Sequence, residues 1–242
     1  MVADAVIEAP NRTSNPKEIL MRILPFAMLI GGLMLVVGSV AIAQDTVCGP
    51  EIKDQVAKQL AEISNLPQAE QAQAKDALYK EFLFCADNQG SATEEFFAAA
   101  RQCGAKVNLL GDLFYEEMSC CGYDPQRRQF GCPVKIKQTF GFGPAPLPGS
   151  REFVLNCVAD PNGVFQPVAA DSVHLADEML GRNPSWQFAV IASGNQNLNL
   201  VYPMGGETRR ARSILSWGFE PTDCEFQPIW GNALDYTIRL DQ

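Results

Sequence analysis

Cys121–Pro133 (CGYDPQRRQFGCP) separates two textures in the chain. Its glycines, its Asp-Pro pair and its polar run make a turn-rich break. Before it, apolar residues recur every three or four positions, the period of a helix. After it they alternate, the period of a strand. The break therefore predicts an α+β chain, with a helical part over 44–121 and a mainly antiparallel β part over 122–242.

On the N-terminal side, Pro50 suits a first helical position, and Ile52, Val56, Leu60 and Ile63 form one apolar stripe. Pro67 opens a second helix carrying Ala74, Leu78, Phe82 and Cys85 on one side. Ser91-Ala-Thr-Glu94 has the spacing of a capping box, and a helix bearing Phe96, Phe97 and Ala100 follows. Gly104 is its natural stop. The spacing of Val107, Leu110, Leu113, Phe114 and Met118 predicts a fourth helix.

On the C-terminal side, strands are predicted through Val134–Phe142, Phe153–Val158, Val164–Val168, Trp186–Ala192, Asn197–Tyr202, Ser213–Phe219 and Asp235–Leu240. Asp160-Pro-Asn-Gly163 is a turn, because proline presets one dihedral and glycine accepts positive φ. Asp171–Leu180 reads as a short helix. This many short strands at near-regular spacing suggest an antiparallel sandwich or curved sheet.

Cys48, Cys85, Cys103, Cys120, Cys121, Cys132, Cys157 and Cys224 are the eight cysteines. An even set with no Cys-x-x-Cys pair and a single histidine argues for disulfides in an oxidising compartment, not for zinc, haem or an iron–sulfur cluster. Antiparallel pairing of the two strands around the proline loop would bring Cys132 to Cys157. Adjacent Cys120 and Cys121 are expected to bond to distant partners and not to each other.

Further out lies Leu24–Ala43 (LPFAMLIGGLMLVVGSVAIA), twenty residues without a charge. At about 1.5 Å per residue it matches a hydrocarbon core of about 30 Å. Two readings stand side by side. As a retained transmembrane helix it leaves 1–23 as a disordered cytoplasmic tail, since Arg12, Lys17 and Arg22 precede it. The bulk of the chain is then periplasmic or extracellular. As a signal peptide it ends in Ala41-Ile-Ala43, a cleavage sequence before Gln44, and a start at Met21 would give the usual leader layout. In the first reading Ala27, Gly31 and Gly38 share a helix face suited to packing against another membrane helix.

The net charge of −9 excludes a broad basic face for nucleic acid. No serine-hydrolase elbow, phosphate loop, dinucleotide fingerprint or paired-histidine metal motif occurs, and no cofactor is implied. His174, with Asp171, Asp177 and Glu178 nearby in sequence, is a weak cation or acid–base candidate. Arg209, Arg210 and Arg212 are a candidate contact for an anion or an acidic partner. These features predict a non-enzymatic, membrane-anchored extracytoplasmic subunit that meets other membrane proteins. The alternatives are a cleaved, secreted or periplasmic ligand-binding protein and a carboxylate-based hydrolase.

Overall fold

Pro50 opens the first helix, where its missing N–H costs nothing because the first turn has no acceptor for it. This helix, α1 (Pro50–Ser64), buries Lys53, Val56 and Ile63 along one face. The computed structural model describes residues 50–87, 91–143, 149–177, 187–194, 196–201 and 206–240. Leu24–Ala43, with the Ala27, Gly31 and Gly38 face, lies outside them, as does Cys48. Among the described residues no helix is long and apolar enough to cross a membrane.

Helix α2 (Gln68–Phe82) begins after Pro67 and buries Leu78 and Phe82. Helix α3 (Glu94–Gln102) is capped by Thr93, whose Oγ1 accepts the Phe96 N–H at 3.2 Å. Ser91, the expected start of the capping box, instead accepts the Leu113 N–H at 2.6 Å. Gly104, at φ +70°, ends the helical part.

The predicted fourth helix does not form. Its place is taken by strand β1 (Lys106–Leu110) and the short strand β2 (Glu116–Glu117). The change has a tertiary cause. Gly111 packs against the chain at Pro228 and Ile229, where an added Cβ would lie 2.5 Å from both carbonyl oxygens. Asn232 holds Met118 in both directions, accepting its N–H at 3.0 Å and donating to its carbonyl at 2.8 Å. Backbone groups that a helix would pair internally are thus taken by distant partners.

The remaining strands are β3 (Gly122–Asp124), β4 (Gln129–Ile136), β5 (Ser150–Ala159), β6 (Phe165–Leu175), β7 (Gln187–Ser193), β8 (Thr208–Trp217) and β9 (Asn232–Arg239). One sheet has the order β1-β9-β8-β5-β6, and every neighbouring pair in it is antiparallel. In the second, β2 and β3 take successive stretches of one edge of β4, and β7 takes the other edge, again antiparallel. The mainly antiparallel β part is therefore as predicted. Two local expectations fail. Asp171–Leu175 continues β6 and is not helical, and Leu198–Leu200 is a 3₁₀ turn, not a strand. The Asp160 turn forms as read: its Oδ1 accepts the N–H groups of Asn162 and Val164, both at 2.9 Å, with Gly163 at φ +85°.

Helices and both sheets share one core, with Val56, Leu78, Phe82, Phe130, Val134, Val154, Ile214, Trp217 and Trp230 among its members. A small second cluster of Leu155, Cys157 and Cys224 lies apart from it. Three disulfides tie the pieces: Cys103–Cys120, Cys121–Cys132 and Cys157–Cys224. Cys85 is also disulfide-bonded, and no described cysteine is free. Adjacent Cys120 and Cys121 do bond to separate partners. The expected Cys132–Cys157 bridge does not form, because β4 and β5 belong to different sheets. Cys132 Sγ does lie 3.5 Å from Asn156 Oδ1, but Cys157 is the next residue on the strand. Its side chain therefore points to the opposite face, where Cys224 waits.

Candidate functional site

The most unusual chemistry in the molecule is at the first turn of α1. Lys53 continues the line of Val56, Leu60 and Ile63 and is fully buried. Its ammonium enters a box of aromatic rings. Nζ lies 3.9 Å from the ring centre of Tyr115, 4.6 Å from Trp217, 4.7 Å from Phe142 and 5.9 Å from Trp230. Ring faces carry negative potential, so each contact draws the cation inward. The rings also brace one another, with Trp217 and Trp230 edge to face at 5.2 Å. Gly141, at φ +91°, lies flat against Tyr115, where a Cβ would collide with the ring. It therefore lets the Tyr115 ring close one wall of the box.

Two carboxyl groups share this box. Glu116, on β2, accepts from Lys53 Nζ at 2.9 Å, and both side chains are 0% exposed. Glu152, on β5 opposite Trp217 of β8, is also fully buried. Among the described residues its two carboxyl oxygens have no hydrogen-bond partner, nor does Glu116 Oε1. Tyr115 Oη and Trp230 Nε1 are unpartnered too. Burial pushes the Glu116 carboxyl above the usual carboxylate range, against the opposing charge and hydrogen bond of Lys53. Burial raises Glu152 well above that range, and the neighbouring charge of Glu116 raises it further. One lysine thus faces two buried carboxyl groups, and it is hydrogen-bonded to Glu116 alone. Glu116 and Glu152 are both closed to bulk solvent.

A groove of about 410 Å³ runs over the same wall, between α1 and the sheet. Trp217 lines it, with Lys75, Arg151, His174, Ser64 and Gly218. His174 lies on strand β6, so the expected helical grouping with Asp171 and Asp177 is not formed. Asp177 accepts the Phe142 N–H at 2.8 Å, and Glu178 lies outside the described residues. Among the described residues no group of acidic, histidine or cysteine side chains is placed to hold a metal ion.

The arginine group divides by strand alternation. Arg210 and Arg212 both stack on the Phe165 ring, at 4.8 and 4.4 Å. Arg209 points to the other face and pairs with Glu207 at 2.7 Å. Arg212 is buried. It contacts Asp235 through two nitrogens, at 2.6 and 3.0 Å, and also donates to Glu225 and the Cys224 carbonyl. Burial alone would lower its pKa, but Asp235 and Glu225 raise it above the ordinary value. Arg212 therefore holds the Cys224 segment against β9, and the three arginines do not converge on one ligand.

No protein-family model matches the chain, and neither a curated protein nor a solved structure matches it. The site reading therefore rests on this chain alone. Lys53, Glu116 and Glu152 were not among the sequence candidates, although each left a trace. Lys53 stands at helical spacing ahead of the Val56, Leu60 and Ile63 stripe, and Glu152 heads the alternation through Val154, Asn156 and Val158. Glu116 is hidden in a stretch whose spacing imitates a helix.

Proposed function

We propose that the chain is a non-enzymatic, single-pass membrane-anchored extracytoplasmic subunit that stabilises or docks a larger membrane protein assembly. The observation that carries this reading is the disulfide framework: every described cysteine is bonded, and the three bridges above span the α3, β4 and β5 regions. Such saturation supports an oxidising compartment, and Leu24–Ala43 supplies an anchor of spanning length on the cytoplasmic side of that framework. Phe114 and Phe140 offer an apolar contact surface on the folded part. Both rings are exposed, with centres 6.5 Å apart. The Ala27, Gly31 and Gly38 face would meet a membrane helix of the same assembly.

Two measurements on protein from native membranes test this reading. N-terminal sequencing is expected to read through Ala43 without cleavage; a mature chain starting at Gln44 removes the anchor. Gentle detergent extraction is expected to yield a complex that Phe114→Ser with Phe140→Ser weakens. A lone monomer that is indifferent to both changes removes the docking role.

The groove beside Trp217 favours a second reading, a cleaved ligand-binding protein. Lys75, Arg151 and His174 on its wall would select an anionic ligand. Titration of the soluble 44–242 chain with small carboxylates and phosphates, followed by shifts of the His174 ring signals, separates this reading from the first.

A further inference from the structure

A lysine and a glutamate from distant parts of the chain, 63 residues apart, meet at 2.9 Å in a box closed to water. In water such a pair does not condense. The amine is protonated, the carboxylate is stabilised by hydration, and bulk water drives the reaction back. The box reverses each of these conditions. Both side chains are closed to bulk solvent, four aromatic rings surround the nitrogen, and the reacting groups are already in contact. Keeping both charges buried is costly, whereas an amide in their place carries none. Glu152, directly opposite Trp217 across β5 and β8 and fully buried, lies in the electrostatic reach of both groups, and among the described residues neither of its carboxyl oxygens has a hydrogen-bond partner.

We propose that Lys53 and Glu116 become joined by an amide bond between Nζ and Cδ, with loss of one water molecule, and that Glu152 relays the protons. A proton first passes from the Lys53 ammonium to the Glu116 carboxylate, leaving an amine and a carboxylic acid. The nitrogen lone pair attacks Cδ, and Glu152 protonates the oxygen on which charge develops. Glu152 then takes a proton from nitrogen and gives it to one hydroxyl, which leaves as water. It recovers its proton from the remaining hydroxyl as the carbonyl reforms. Ammonium and carboxylate become amide and water, Glu152 is unchanged, and neither an oxidant nor an activating cofactor enters the balance.

The bond would attach the first turn of α1 directly to β2. Lys53 is the first basic residue after Leu24–Ala43. A pull from that side would pass from the first turn of α1 into β2, leaving the rest of α1, α2 and α3 unloaded. The chemistry holds whether or not the apolar segment is retained, so its test is independent of the anchored reading.

The test is the intact mass of the full chain after complete disulfide reduction. The expected result is a mass lower by one water, with trypsin failing to cut after Lys53 and a branched peptide joining Lys53 to Glu116. Glu152→Gln keeps shape and removes the acid. It is expected to fold with the same near-ultraviolet circular dichroism while showing no water loss in the reduced chain, with Lys53 cleavable. A wild-type mass without water loss, or a water loss mapped to other residues, overturns the proposal. Complete cross-linking in Glu152→Gln overturns the role given to Glu152.

Discussion

Two buried cations in this molecule are treated in opposite ways. Arg212 has every near partner it needs: Asp235 through two nitrogens, Glu225 and a backbone carbonyl. Its partners also reach solvent, with the Glu225 side chain 76% exposed. Lys53 has one carboxylate and four rings, and it is closed to bulk solvent. A second buried carboxyl, Glu152, has no hydrogen-bond partner among the described residues. Arg212 is a finished structural joint. The Lys53 group is an unfinished one, with more acid than base and polar atoms left over. Buried groups without partners are costly. A fold that keeps them in the midst of well-packed aromatic rings points to chemistry there, whereas a satisfied network such as that of Arg212 points only to packing.

The difference can be broken or sharpened by substitution. The largest effect is expected from Lys53→Met, which leaves Glu116 buried without its counter-charge. We expect a loss of about 3–5 kcal/mol in urea unfolding, and more where the amide had formed. Arg212→Met is expected to cost less, about 1.5–3 kcal/mol, because Asp235 and Glu225 can be rehydrated at the surface. If Arg212→Met proves the more damaging of the two, the contrast drawn above is wrong.

A smaller and pH-dependent change is expected from Glu152→Gln. The groups facing Glu152 are Glu116 and Lys53, and burial with the Glu116 charge raises its folded pKa. Below the ordinary carboxylate range both folded and unfolded forms are protonated, so Glu152 costs nothing there. As pH rises, the unfolded chain ionises first, and wild-type stability falls relative to Glu152→Gln until the folded pKa is reached. Where the amide has formed Glu116 no longer titrates, so both proteins are compared in a Lys53→Arg background, which keeps the cation and cannot form the bond. The slope of the stability difference between the two proteins, measured from pH 4 to pH 8, is therefore the readout; a flat difference would mean that Glu152 is not held protonated by the fold. The smallest effect belongs to Glu225→Gln. An exposed partner contributes under about 1 kcal/mol, and added salt should screen it away.

Much of the architecture is legible in the amino-acid sequence. Helices begin at Pro50 and just after Pro67, and α3 ends before Gly104, because proline and glycine limit the backbone locally. The alternation Leu234, Tyr236, Ile238 and Leu240 became buried positions at the end of the chain. The site was far less legible. Periodicity treats lysine and glutamate as solvated, whereas Lys53 is buried at the head of the Val56, Leu60 and Ile63 stripe. Cys132 was placed near the right strand and given the wrong partner, since which face a strand turns to its neighbour depends on sheets formed far away in sequence.

The chain's own chemistry determined what is local or compositional: an α-then-β order, a cysteine set suited to disulfides, an apolar segment of spanning length and an acidic surface. Tertiary structure decided the rest. It turned Val107–Leu110 from an expected helix into an edge strand, because Ala233 and its neighbours on β9 offered hydrogen bonds that no local term could foresee. It also assembled Lys53, Glu116 and Glu152 from α1, β2 and β5. Each residue alone is an ordinary charged side chain in sequence. Their properties change only when the fold removes water from all three at once, and desolvation is a property of the packed whole.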